Sequence, residues 1–134
     1  LHCEPVKMRQ MRTLTKAEEE VMVILWDLER ALVRDILECL PDPKPAYNTV
    51  STVLRVLEKK GFVGHKSYGT TYEYYPLVPK KEYARFRFGE FLEKYFNNSF
   101  SQLASFFTKE NNLSLQELEA IMNEVKKEVG KEEE

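Results

Sequence analysis

The sequence predicts a mainly α-helical chain with one small β-hairpin: a winged helix-turn-helix followed by a C-terminal helical dimerisation domain. Three observations predict it. Apolar residues recur at helical spacing through most of the chain. One helix, polar on its outer face, ends in Lys59-Lys60-Gly61 and runs directly into two short strands rich in aromatic and β-branched residues. Beyond Pro76 and Pro79 the composition turns strongly aromatic. The expected division is therefore a winged-helix domain over 13–78 and a helical domain over 79–130.

The elements follow in order. Thr15 with Glu18 three residues on forms a capping box that starts the first helix, preceded by Leu14. Ala17, Val21, Ile24, Leu25 and Leu28 give its apolar stripe, and Trp26 is placed to seal a join with a neighbour. Ala31-Leu32-Val33 has the composition of a short strand. Val33, Ile36, Leu37 and Leu40 define a second helix, which Pro41, Pro43 and Pro45 end. The third helix runs from about Tyr47 to Lys60. Val50, Val53, Leu54 and Leu57 form its buried stripe, and Gly61 supplies the left-handed residue past its end. Its β-branched residues lower its intrinsic propensity, so packing has to hold it. Phe62 to Ser67 reads as a strand, Tyr68-Gly69 as the turn and Thr70 to Leu77 as the return strand. A lone hairpin is marginal, so this one needs the helices for support.

The second domain is read from its aromatic and aliphatic spacing. Asn97-Asn98-Ser99 divides the aromatic stretch into two helical pieces. Asn111-Asn112-Leu113-Ser114 is a loop and cap, with Glu117 completing a second capping box. Leu115, Leu118, Ile121, Met122 and Val125 form the last stripe. So many large apolar groups on so small a unit call for a partner. The expected solution is a homodimer through Phe88, Phe91, Leu92, Tyr95, Phe96, Leu103, Phe107, Leu118, Ile121 and Met122. A two-fold axis would set two recognition helices roughly 34 Å apart, one turn of duplex, and match a palindromic site.

Composition narrows the classes. With 134 residues and 43% hydrophobic content, the chain can build a core. It lacks an apolar run of the roughly 20 residues that a membrane helix needs, so membrane insertion is not expected. Its opening residues are polar and mixed in charge, unlike a secretory leader, and the expected location is the cytoplasm. Cys3 and Cys39 do not make a disulfide framework, and Cys39 reads as a small core residue within an apolar helical pattern. Net charge is −2, but it is unevenly spread. Residues 13–42 carry −5, whereas residues 43–70 carry +4. A basic patch on an acidic chain is the footprint of an anionic partner on one face.

That partner is expected to be double-stranded DNA. A helix-turn-helix followed by a hairpin places one helix in the major groove and the hairpin against the backbone. Asn48, Ser51, Thr52 and Arg55 are the candidates for base edges, since asparagine pairs with adenine and arginine with guanine. Thr49 is a candidate for capping the helix or touching phosphate, and Tyr47 for phosphate or for packing at the turn. Lys44, Lys59, Lys60 and Lys66 suit backbone charge rather than base reading. His65, Lys66, Tyr68 and Thr70 are the wing candidates. No catalytic constellation accompanies them. His2 and His65 are the only histidines, and the sequence has no Cys-x-x-Cys, His-Glu-x-x-His, phosphate-binding loop or dinucleotide fingerprint. No metal is expected at Glu18-Glu19-Glu20, which occupies a helix's first turn, where acids belong, and no other cofactor is expected.

Several separated motifs in register resemble the penicillinase and methicillin-resistance repressors and their copper-responsive relatives. They are Leu14-Thr15-x-Ala17-Glu18 with Val21-Met22 and Leu25-Trp26; Thr49-Val50-x-Thr52-Val53-Leu54-x-x-Leu57-x-x-Lys60-Gly61; and the strand Tyr72 to Tyr75. The likeness covers about residues 13–129. It implies an N-terminal winged helix, a C-terminal dimerisation domain and repression through inverted repeats in promoters. It also implies DNA contact around Asn48, Thr49, Ser51, Thr52 and Arg55 and at the wing, with Ser51 where some relatives carry arginine. In antibiotic-responsive members a membrane sensor protease triggers cleavage of an Asn-Phe bond in the dimerisation region. The corresponding pair here is Ser105-Phe106. Copper-responsive relatives carry a C-terminal Cys-x-Cys motif, and no cysteine follows Cys39. The expected function is therefore a homodimeric transcriptional repressor; the resemblance offers release by partner-dependent proteolysis, and the packing leaves release by a ligand between subunits equally open. The alternative is a winged helix that serves as a protein-interaction module in a larger assembly.

Overall fold

The computed structural model describes residues 11–110 and 113–133, and they form two compact units, one ending at Arg87 and the other starting at Phe88. Cys3, His2 and the Asn111-Asn112 part of the expected loop lie outside the described residues.

The first unit contains α1 (Lys16–Leu28), β1 (Ala31–Leu32), α2 (Val33–Cys39), α3 (Tyr47–Lys59), β2 (Val63–Tyr68), β3 (Thr71–Pro76) and the first half of α4 (Lys80–Phe96). The strands form one antiparallel sheet in the order β1-β3-β2. The capping box of α1 is present in both directions: Thr15 Oγ1 accepts from the Glu18 N–H, and the Glu18 carboxylate accepts from the Thr15 N–H. Val21, Met22 and Leu25 then face inward, joined by Ile36 of α2 and by Val50, Leu54 and Leu57 of α3. Burying each such large aliphatic side chain contributes about 1.5–3 kcal/mol, which compensates for the modest propensity of α3.

Helix α3 ends as the sequence predicts. Gly61 has φ +82°. Its N–H donates to Glu58 O, and the Phe62 N–H donates to Leu57 O, the two bonds of a Schellman motif. The chain leaves this cap straight into the hairpin. The turn falls one residue later than the sequence pattern indicates. Tyr68 pairs with Thr71, so Gly69-Thr70 forms the loop, with Gly69 at φ +66°. A positive φ at the first loop residue alone is the II′ arrangement, which suits strand twist. The strands are also shorter at their outer ends, because Phe62 belongs to the helix cap and Leu77 lies past β3. Support for the hairpin comes partly from β1, where Ala31 pairs with Tyr74 and Leu32 with Glu73.

Two further expectations change. Cys39 is exposed. At about 100° per residue it lands beside, not on, the face shared by Val33, Ile36 and Leu40. Residues 80–87, expected beyond a boundary at Pro79, pack with the first unit. Tyr83 is buried there, its hydroxyl accepts from the Leu14 N–H at 2.8 Å, and its ring lies 5.9 Å from Trp26 and 5.7 Å from Phe62. Trp26 in turn donates its indole N–H to Val78 O. The prolines therefore mark a turn inside the unit.

The second unit holds the end of α4, α5 (Phe100–Glu110) and α6 (Leu115–Glu133). Asn97 and Asn98 both adopt left-handed φ, 53° and 60°, which asparagine tolerates better than most residues. Ser99 caps α5 and Ser114 caps α6, accepting from the N–H of Gln102 and Glu117. Phe88, Phe91, Tyr95, Phe96, Phe100, Phe106 and Phe107 form a chain of ring contacts at 5.2–6.3 Å. Phe91, Tyr95, Phe96 and Phe106 line an open hollow of about 350 Å³. Most of the expected dimer residues remain exposed or half-buried, Phe91, Tyr95, Ile121 and Met122 among them. Leu92 is the exception. It is already 3% exposed in a single chain, so it has little surface to offer a second copy.

Candidate nucleic-acid interface

One face of α3 is used up by the core, which leaves the other free. Asn48, Thr49, Thr52, Arg55 and Lys59 are exposed, and Ser51 is half-buried. Tyr47 opens the helix and is 55% exposed. Arg55 donates to Ser51 Oγ at 3.4 Å, one turn back, so its guanidinium lies along the outer surface. Thr52 donates its hydroxyl proton to Asn48 O at 2.8 Å. That bond uses the hydroxyl proton and leaves the oxygen of this exposed residue able to accept. Thr49 does not cap the helix: Ala46 holds the N-cap position without a side-chain bond, and Thr49 gives its N–H to Ala46 O.

The wing carries Lys66, Tyr68 and Thr70 on exposed surface. The Lys66 ammonium stands 5.6 Å from the Tyr68 ring centroid, a cation–π distance that holds charge at the tip. His65 has a different place. Its Nδ1 lies 2.7 Å from Glu58 Oε2 on α3, and its ring stacks on Tyr72 at 4.3 Å. It ties the base of the wing to α3. Beneath this pair Tyr74 is buried, and burial followed by the Glu58 charge pushes its phenol pKa up. Sequence reading missed the Glu58–His65 link, although Glu58 is the only acid in the basic stretch 43–70.

Two of the expected backbone lysines are committed elsewhere. Lys44 Nζ donates to Leu37 O, Glu38 O and Leu40 O at 2.8–3.3 Å. It caps the C-terminal end of α2, where a cation complements the orphan carbonyls and the dipole. Lys60 Nζ lies 2.8 Å from the carboxylate of Glu18, a buried residue on α1. Burial acts to raise the Glu18 pKa, but the hydrogen bonds from Lys60 and the Thr15 N–H outweigh it and hold the carboxyl below its ordinary value. Both lysines have short-range partners that a linear charge count does not see. Lys59 and Lys66 remain as accessible cations.

The surface thus combines a polar helix face, a hairpin wing and exposed basic groups at both. The model of a family described as penicillinase repressor matches residues 14–127. The chain belongs to the penicillinase repressor family. It is 30% identical over 111 residues to the methicillin resistance regulatory protein MecI of Staphylococcus aureus, covering 82% of this chain and 90% of that one. It is 24% identical over 112 residues to the penicillinase repressor of Bacillus licheniformis, covering 83% and 88%. A solution structure of the DNA-binding domain of the repressor BlaI aligns at 26% identity and a TM-score of 0.47, over 55% of this chain and 94% of that one. The penicillinase repressor family consists of DNA-binding transcriptional repressors, not enzymes. Among the described residues, no helix is long and apolar enough to cross a membrane, and no cluster of His, Cys, Asp or Glu is arranged to hold a metal.

Proposed function

We propose that this chain silences a promoter in the cytoplasm by binding an inverted-repeat operator as a homodimer. The observation that carries the reading is the outer face of α3. Asn48, Thr52 and Arg55 stand exposed on a helix whose opposite side is anchored by Val50, Leu54 and Leu57. A rigid helix with short polar groups and one arginine suits major-groove reading. Lys66 and Tyr68 on the wing, with Lys59 at the helix end, supply sequence-independent backbone contact. The exposed aliphatic and aromatic groups of α4, α5 and α6 favour a second copy as the partner that covers them. A footprint on the gene's own upstream region tests the reading. Protection of two half-sites about one duplex turn apart, with affinity falling steeply as salt rises, is expected. Equal binding to every duplex would overturn operator recognition.

Release by a membrane sensor protease forms part of the proposal. Ser105 and Phe106 are both exposed on α5, a helix with no fully buried residue. Cleavage there needs only local opening of a weakly anchored segment. Incubation with the activated protease should yield a product ending at Ser105, identified by mass. A chain that stays intact while it leaves the operator would overturn this route.

A further inference from the structure

Leu32, Val33, Arg34, Tyr47, Thr71 and Tyr72 line a cleft of about 210 Å³. Its place in the fold is distinctive. Arg34 lies in the first turn of α2, Tyr47 opens α3 and Thr71 opens β3 immediately after the wing turn. The cleft is the point where the helix before the recognition helix, the recognition helix itself and the wing converge. Leu32 and Val33 give it an apolar floor. The remaining four residues contribute one guanidinium and three hydroxyls, and among the described residues no carboxylate lines it. Arg34 takes part in neither of the ion pairs found among the described residues, unlike Lys60. Such a lining selects an anion with several acceptor oxygens, because a guanidinium forks onto two oxygens while hydroxyls donate to the others. At about 30 Å³ per water, the cleft has room for a phosphodiester group and bridging waters.

We propose that Arg34, with the hydroxyls of Tyr47 and Thr71, seats a backbone phosphate of the bound duplex. The inference rests on the DNA-binding reading above and adds a contact to it. A duplex that lies along the outer face of α3 and meets the wing passes over their junction, which is where this cleft opens. Arg34 is one of only three bases in the acidic stretch 13–42. It therefore places attraction at a point where the neighbouring surface repels DNA. The contact is made to phosphate alone, so it positions the protein and carries no sequence preference.

The test is a titration of wild type, Arg34→Ala, Arg34→Lys and Arg55→Ala against a fragment of the upstream region and a scrambled duplex of equal length, over a series of chloride concentrations. Arg34→Ala is expected to weaken both duplexes by the same factor and to lower the slope of log affinity against log salt by about 1. Arg34→Lys should keep the slope with part of the affinity, since charge survives and the fork does not. Unchanged thermal midpoints in both variants are expected for an exposed residue and exclude misfolding. An unchanged slope in Arg34→Ala, with Arg55→Ala still impaired on the upstream fragment, would overturn the seat and leave the DNA reading standing. Absence of salt-dependent binding in wild type would overturn the DNA reading itself. Inorganic phosphate at matched ionic strength supplies the last arm. Competition no stronger than by chloride supports a duplex phosphate, whereas selective displacement of DNA that Arg34→Ala abolishes would reassign the cleft to free phosphate.

Discussion

Lys60→Met separates two roles for one lysine. In sequence Lys60 belongs to a basic helix end that faces DNA; in the fold its ammonium closes on Glu18, 2.8 Å away. Glu18 is only 5% exposed, so removing the cation leaves a buried carboxylate with the Thr15 N–H as its remaining strong donor. Breaking a fully buried pair in this way costs about 3–5 kcal/mol. The Lys60 side chain is 27% exposed, so water reaches that end and screens part of the pair, which reduces the expected loss to about 2 kcal/mol. For a unit of this size that is a drop of about 8–16 °C in the melting midpoint. The pH dependence has a definite sign. Lys60 helps hold the Glu18 pKa below its ordinary value of 4.5. Its contribution is therefore complete above that value and is lost as pH falls through the lowered one. The wild type and Lys60→Met should differ most at neutral pH and converge in acid. Thermal melts followed by circular dichroism across that range measure it. DNA titrations with the folded variant should give an unchanged salt slope. An unchanged melting midpoint at neutral pH together with a slope reduced by about 1 would refute the argument and return Lys60 to the phosphate backbone.

Other expectations follow from the same packing and surface. Arg55→Ala should weaken binding to the operator by about 1–3 kcal/mol while scarcely changing binding to scrambled duplex. Lys66→Ala should weaken both alike, and paired titrations distinguish the two. Leu54→Ala removes a fully buried side chain from the core around α3 and should cost about 2–5 kcal/mol in urea denaturation; a loss below about 1 kcal/mol would mean that the site collapses to fill the gap. Ile121→Glu places a charge on an exposed apolar stripe of α6. Sedimentation equilibrium should find wild-type dimers and mutant monomers, and a mutant that remains dimeric would move the interface off α6.

The local elements were legible in the sequence because each depends on neighbours in the chain. The Thr15–Glu18 box, the Gly61 cap and the 3–4 spacing of Val50, Val53, Leu54 and Leu57 are short-range rules, and the fold obeys them. The exposed face of α3 follows from the same spacing, since the residues left over by a buried stripe have to face outward. The hairpin's existence was equally clear, but its turn moved by one residue, because pairing register answers to strand partners as well as to Gly69. What the sequence could not decide is which partner each long side chain meets. Lys60 and Glu18 stand 42 residues apart, and Tyr83 reaches Leu14 across 69. Those contacts exist only once the helices pack. They take Lys60 out of the basic surface and draw the start of α4 into the first unit. Lys44 is lost to phosphate by a nearer contact, yet only the bend after α2 brings its ammonium back onto the helix's last carbonyls. Arg34 shows the converse. Along the chain it is an isolated base among acids; in space it joins Tyr47 and Thr71 in one cleft. Hydrophobic period and capping chemistry act over a few residues and are written in the sequence, whereas charge pairing and cleft formation depend on distances that the tertiary structure alone sets.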